Sequence, residues 1–302
     1  MMVNNRGSLT GLLRWQSHNV RTYVIGGVVA VMAYGIFDQW LGWLDLGLPT
    51  LPLAVVGGAL GIFVSFRTNS AYDRWWEGRK LWGRLINTSR HWSSQCASYI
   101  KDEELRNELI IRHITYVHVL RCLLRKQDPL TDESVMRWTS EDDRAWLATQ
   151  TNPTHALLQK QLDAVTALGD AGTLDERRLM SMDESVRHLL DIQGGCERIK
   201  KTPLPRGYGY IAEKLVDAFS FLLPLAIVSE LHLLAIPVNV LVCLAFMLIS
   251  EAGRVLEDPF TMFFNGLPLT NMSDTIEQNL RNRMGETEMP ALVGPDYRGI
   301  LM

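Results

Sequence analysis

The stretch that decides the fold runs from Gly57 to Trp76 and reads GGALGIFVSFRTNSAYDRWW. It carries no charge before Arg67, and we expect the helix to pass into a polar turn there, ahead of the tryptophan pair. Gly58, Ile62 and Phe66 are spaced four residues apart, so on a helix they share one face. A bulky apolar stripe with charge at its end suits a hydrophobic constriction or ordinary helix packing.

The composition describes a chain that is membrane-embedded in parts and charged elsewhere. Its 302 residues are 47% hydrophobic, with a mean hydropathy of +0.02 and a formal net charge of −3. This balance near zero gives no electrostatic case for a nucleic-acid partner. The four cysteines show no C-x-x-C spacing, so we expect reduced thiols and no zinc site.

Apolar stretches occur near both ends of the chain. Residues 23–44 and 46–66 are each long enough to cross a hydrocarbon core of about 30 Å at about 1.5 Å per residue. The apolar stretch 215–250 is too long for one simple crossing, so we expect a hairpin that turns near residues 229–232. The sequence therefore predicts four membrane spans.

The middle of the chain is polar, and its apolar residues recur every three or four positions, as in amphipathic helices that pack on one another. We expect helix boundaries at four Pro- or Gly-containing breaks, namely 128–129, 152–153, 169–172 and 203–209. The predicted organisation is an N-terminal segment 1–22, two spans in 23–66, a helical region 67–214, two spans in 215–250 and a C-terminal segment 251–302.

Basic residues predict the orientation of the chain in the membrane. Arg14 and Arg21 precede the first span, Arg67 and Arg79 follow the second, and the loop at 45–50 contains no Lys or Arg. The positive-inside rule then predicts that both termini and the whole middle region are cytoplasmic.

Three motifs resemble one known family. FRTNSAYDRWWEGRKLWG resembles the Arg-Trp-Trp signature that follows the second span of bestrophins. DIQGGCERIKKTPLPRGYGY and VLEDPF resemble the bacterial members of that family. The motifs stand in the expected order on a four-span layout, and the resemblance covers roughly residues 10–280.

The resemblance implies an all-α membrane protein, a homopentameric ion channel of a bacterial inner membrane. Second spans would line a hydrophobic neck on the five-fold axis, and a cytosolic vestibule would end in a second aperture. By position the neck residues are Gly58, Ile62 and Phe66. Bestrophins usually have a bulky apolar residue where Gly58 stands, so we expect Ile62 and Phe66 to form the constriction.

The same correspondence places the cytosolic aperture near Met180, although a helix-core position fits that residue equally well. Charged residues of both signs precede it, and their orientation would set the potential in the vestibule. They are Asp175, Glu176, Arg177 and Arg178.

Metal, cofactor and enzyme chemistry are not predicted. Eukaryotic bestrophins carry an acidic calcium clasp after the last span, but this chain has only Glu257 and Asp258 there, and calcium needs about six to eight oxygen ligands. His113 and His118 are five residues apart, about 140° on a helix, which gives neither a metal pair nor a catalytic dyad. The chain has no G-x-S-x-G, P-loop or H-E-x-x-H motif.

The sequence is therefore interpreted as a passive channel for small monovalent inorganic ions, with its own copies and membrane lipid as partners. Because eukaryotic relatives conduct anions, analogy favours chloride as the permeant ion, and sodium selectivity is the alternative. The alternatives are a secondary transporter and a membrane-anchored scaffold. No internal span repeat or discontinuous helix supports the transporter.

Overall fold

The computed structural model describes residues 17–40, 42, 49–289, 291–297 and 299–301. Most of the predicted N-terminal segment 1–22 and of the loop at 45–50 lies outside the described residues. The chain divides into two compact units. The span unit comprises the described residues of 5–74 and 203–257, and the core unit those of 75–202 and 258–302.

The described residues from 17 to 289 form helices and no strand, which confirms the all-α class. The α-helices are α1 (Ser17–Ala33), α2 (Thr50–Tyr99), α3 (Glu103–Leu124), α4 (Glu133–Arg137), α5 (Glu141–Thr149), α6 (Pro153–Asp170), α7 (Glu176–Lys201), α8 (Arg206–Leu231), α9 (Ala235–Leu256) and α10 (Leu269–Arg283). A π-helical segment Tyr34–Trp40 continues α1, and short 3-10 turns lie at Pro129–Thr131 and His232–Leu234.

Helix α2 is one unbroken helix of 50 residues, so the expected polar turn after Phe66 is wrong. Thr68 Oγ1 donates to the Val64 carbonyl at 3.0 Å, and Ser70 Oγ donates to the Phe66 carbonyl at 3.0 Å. These side chains bond back to the preceding turn, so polar residues that often favour turns are accommodated inside the helix.

The helices of the span unit approach closely at small residues. A Cβ atom added at Gly57 would lie 3.2 Å from Phe219 Cζ on α8, and one added at Gly61 would lie 3.5 Å from Phe246 Cε1 on α9. The two phenylalanine rings meet edge to face, 5.9 Å apart. Glycine on one helix thus makes room for an aromatic pair, as small residues commonly do between membrane helices.

Three stretches of the described chain are long and apolar enough to cross a membrane, His18–Trp40, Pro52–Tyr99 and Gly209–Leu256. The last contains the turn His232–Leu234, where His232 adopts φ +47°, and this turn separates α8 from α9. The break falls where the sequence predicts the hairpin. The number of membrane crossings stays a prediction.

The core unit is held together by one large apolar core. Its helix α3 is buried along most of its length, and α2, α6, α7 and α10 contribute further apolar side chains. The largest fully buried ones include Trp82, Trp92, Leu85, Leu109, Ile110, Tyr116 and Phe260. The breaks expected in this region are confirmed, since α6 begins at Pro153 with Asn152 as its N-cap and α7 ends before Pro203.

Candidate functional site

The predicted neck residues lie on an exposed face of α2. Ile62 is 61% exposed and Phe66 is 69% exposed, whereas Leu60 and Val64 on another face of the same helix are 2% and 1% exposed. A Cβ atom at Gly58 would meet nothing within 4 Å in the described residues. Helix periodicity therefore places Leu60 and Val64 inside the span unit and leaves Gly58, Ile62 and Phe66 on the exposed face of α2.

The same exposed face turns polar directly beyond Phe66. Asn69 and Asp73 follow Phe66 at i+3 and i+7, and both are exposed. An apolar band is thus followed along one helix face by an amide and a carboxylate. This order is the one expected where an apolar segment meets water.

A buried arginine anchors α2 immediately after Phe66. Arg67 Nη1 donates to Ser250 Oγ at 2.8 Å, and Arg67 Nη2 donates to Glu257 Oε1 at 2.8 Å. The guanidinium also presses against α8, because a Cβ atom at Gly209 would lie 2.8 Å from Arg67 Nη2. A buried charge without partners is costly. The carboxylate and hydroxyl that pair with Arg67 therefore fix one position for its guanidinium.

Three further contacts join the same part of α2 to the end of α9 and the residue that follows it. Thr68 Oγ1 donates to the Ile249 carbonyl at 3.1 Å, and Gly253 packs so closely that an added Cβ would lie 3.0 Å from that Oγ1. Arg74 Nε donates to the Glu257 carbonyl at 2.6 Å. The exposed Phe66 therefore sits at the start of a firmly attached stretch of α2.

A cavity of about 220 Å³ lies beside this attachment. It is lined by Phe66, Arg67, Ser70, Leu204, Pro205 and Glu257. Packing inside the span unit consequently leaves free volume next to the Phe66 ring. The polar contacts of Arg67, rather than tight apolar packing, define the position of the chain here.

The predicted aperture residues lie in the core unit at the beginning of α7. Met180 is 66% exposed, which excludes the helix-core alternative for it. Asp175 is the N-cap of α7, accepting from the Arg178 amide at 3.0 Å, and its carboxylate also lies 3.2 Å from Arg178 Nε. Glu176 and Arg177 are exposed. Asp175 and Arg178 thus stabilise the start of α7, whereas Glu176 and Arg177 are exposed charges outside these capping contacts.

Sequence reasoning missed a buried polar cluster between α3 and α10. His118 Nε2 lies 2.8 Å from Glu277 Oε2, and His118, Asp274 and Glu277 offer three ligand-type atoms within 4.8 Å of one another. The spacing of the histidines carries no hint of this, because the carboxylates come from a helix far along the chain. The i, i+3 spacing of Asp274 and Glu277 was the available signal, since it puts both on one face of α10.

The charges around this cluster favour an ion-pair network over a metal centre. Arg281 Nη1 lies 3.3 Å from Glu277 Oε1, and Arg137 Nη1 lies 3.5 Å from the same atom. Burial acts most strongly on the pKa of Glu277 and raises it, but the hydrogen bond with His118 and the nearby positive charges together outweigh burial, so the pKa lies below its usual value. Two guanidinium groups already neutralise the carboxylate, and they repel a divalent cation.

Comparison with known proteins identifies the family. The family model described as Bacterial/Fungal Bestrophin protein matches residues 1–282. A voltage-dependent anion channel-forming protein of Mesorhizobium japonicum is 32% identical over 244 residues, covering 80% of this chain and 78% of the relative. A protein of the same description, YneE of Escherichia coli, is 30% identical over 257 residues, covering 85% of this chain and 84% of the relative.

Solved structures agree. A bacterial bestrophin homologue from Klebsiella pneumoniae superposes with a TM-score of 0.83 at 29% sequence identity, covering 90% of this chain and 99% of that one. The family that the three sequence motifs resemble is thereby confirmed. The chain belongs to the bestrophin family, in its bacterial and fungal branch.

Proposed function

We propose that this protein is a passive anion channel whose neck is formed by Ile62 and Phe66. The observation that carries the proposal is the exposed apolar face of α2, on which both side chains are mostly exposed while their neighbours Leu60 and Val64 are buried. Two relatives are named as anion channel-forming proteins, which supports anions as the permeant ions, with chloride as the first candidate.

The proposed neck needs several copies of the chain. One α2 helix presents a stripe, and a closed ring requires identical stripes around an axis, as in a homopentamer. Rings of isoleucine and phenylalanine offer no group that replaces the hydration shell of an ion. Conduction through such a neck depends on its being wide enough to stay wet, and narrowing closes it by dewetting.

The proposed orientation places both termini and the core unit in the cytoplasm of a bacterium and the spans in its inner membrane. In this arrangement Met180 borders a second aperture, with Glu176 and Arg177 as the exposed charges beside it. Gly58 leaves the neck with two apolar rings instead of three.

Alanine substitution tests the proposed neck. Ile62→Ala and Phe66→Ala are reconstituted in liposomes, and chloride efflux is measured at equal protein amounts. Smaller rings lower the dewetting barrier, so we expect several-fold faster efflux. Leu241→Ala is the matched control, because Leu241 on α9 is also 69% exposed and is not in the stripe.

The alternatives give different results in the same assay. A membrane-anchored scaffold shows no efflux above that of empty liposomes, and neither neck substitution changes it. If the stripe faces lipid instead, Ile62→Ala and Phe66→Ala give the same efflux as Leu241→Ala. Either result contradicts the proposed neck.

A further inference from the structure

We propose that Arg67 and Glu257 form a latch that positions Phe66 in the constricted neck. The inference rests on the proposed function, because it assigns a task to the residues that hold the neck helix. It adds two positioning residues to a constriction that is otherwise apolar.

The charge that forms the latch lies directly beside the neck residue. Arg67 directly follows Phe66 on α2 and is buried, with side-chain exposure of 5%, while Glu257 is 29% exposed. The two terminal nitrogens of Arg67 reach different residues, Ser250 on α9 and Glu257 just beyond α9. A planar guanidinium fork holds two acceptors in fixed directions, which a single ammonium group does not do.

Apolar packing does not hold Phe66 in one place. The Phe66 ring is exposed, and the cavity of about 220 Å³ beside it leaves room for the ring and its backbone to shift. Apolar contacts are non-directional, whereas the Arg67 hydrogen bonds specify one place for the helix. Releasing the latch therefore lets Phe66 move away from the constricted position.

The span unit also contains a matched ion pair that does not involve α2. Glu251 lies on α9, is buried, and pairs with Arg254 three residues on in the same helix. Both Glu251 and Glu257 pair with an arginine, but only the Glu257 pair joins α9 and its following segment to α2 among the ion pairs of the described chain. Glu251→Gln is thus the control for Glu257→Gln.

The experiment measures chloride efflux from liposomes for Glu257→Gln, Glu251→Gln, Phe66→Ala and the double variant Phe66→Ala/Glu257→Gln. Size-exclusion elution and the thermal midpoint check that each variant is folded. Glutamine keeps the shape of Glu257 but removes the charge-assisted hydrogen bond, so we expect efflux to rise about tenfold. Arg67→Lys keeps the charge but loses the fork, so its efflux is expected between those of the parent and Glu257→Gln.

The double variant separates a latch from general loosening. If Arg67 and Glu257 act through Phe66, Glu257→Gln adds nothing once Phe66 is alanine, and the two effects are not multiplicative. Multiplicative effects, or an equal rise in Glu251→Gln, overturn the latch.

The remaining outcomes distinguish the two proposals. If Phe66→Ala speeds efflux and Glu257→Gln leaves it at the parent rate, the latch is wrong and the neck stands. If Phe66→Ala itself leaves efflux unchanged, the neck is wrong, and the latch is overturned with it.

Discussion

The core unit and the span unit are both all-helical, yet they place their apolar residues in opposite ways. The core unit buries Trp82 and Trp92 completely and pairs its buried charges, as in His118 with Glu277. The span unit leaves large apolar side chains such as Phe66 and Leu241 exposed and packs its helices at glycine. The first pattern is that of a protein interior in water, and the second is that of helices whose surroundings are apolar.

The difference shows that one helix can serve two environments. Helix α2 has glycines and an exposed apolar stripe in its first part and buried tryptophans at Trp82 and Trp92 in its last part. Arg67 lies where the apolar stripe ends, and its charge is satisfied locally. Four predictions test the contrast, from the largest expected effect to the smallest.

Truncation in the core unit is expected to have the largest effect on stability. Trp82 is fully buried, so Trp82→Ala leaves a cavity and lowers the free energy of unfolding by about 4 kcal/mol. The thermal midpoint in detergent measures the loss. Leu241→Ala in the span unit is the comparison, and equal destabilisation by both variants contradicts the contrast.

Removing the buried carboxylate of the α3–α10 cluster tests the ion-pair interpretation. Glu277→Gln leaves Arg137 and Arg281 without their shared acceptor charge, and we expect a loss of about 3 kcal/mol. Thermal unfolding with and without a chelator provides the check. If a chelator destabilises the parent protein as much as the substitution does, the cluster holds a metal ion instead.

Two neighbouring glycines sharpen the description of the span unit. Gly57→Leu collides with the Phe219 ring and is expected to cost about 2 kcal/mol of stability through overpacking. At Gly58 an added Cβ meets nothing within 4 Å in the described chain, so Gly58→Leu is expected to leave the thermal midpoint unchanged and to slow chloride efflux by adding a third apolar ring. If Gly58→Leu destabilises the protein and Gly57→Leu slows efflux, the face of α2 assigned to the neck is wrong.

A buried histidine predicts the smallest effect when counted per pH unit, a dependence of core-unit stability on pH. Burial lowers the pKa of His113 to about 3, and its Nε2 lies 2.9 Å from Ser89 Oγ. Below a pH of about 6.5 the unfolded chain binds a proton at this histidine that the folded chain does not bind. Stability therefore decreases as the pH is lowered towards 3, by at most about 1.4 kcal/mol per pH unit.

Thermal midpoints between pH 6.5 and 4.5 measure this dependence. His113→Asn is expected to make the slope shallower, while substitution of the exposed His155 by Asn leaves it unchanged. Identical slopes for both variants would show that His113 does not contribute.

Local signals in the sequence predict much of this architecture. Hydropathy and spacing locate the apolar stretches, the hairpin near residue 232 and the exposed stripe of Ile62 and Phe66. Proline and Asn152 mark the start of α6 because an Asx cap and a proline at the first turn act within a few residues. Motif order was sufficient to recognise the family.

Long-range placement was beyond local signals. Nothing near Arg67 indicates that its partners are Ser250 and Glu257, and nothing near His118 points to Glu277, because each pair is formed by tertiary packing. The continuity of α2 was missed for a related reason. Thr68 and Ser70 favour turns on average, but here their hydroxyls bond to helix carbonyls.

The measurement that tests the central claim most directly is the reversal potential of the purified protein in a planar bilayer under a tenfold KCl gradient. A passive anion channel reverses near the chloride equilibrium potential, about 59 mV from zero, and Phe66→Ala carries more current. Reversal near the potassium potential contradicts anion conduction, and the absence of current contradicts a channel.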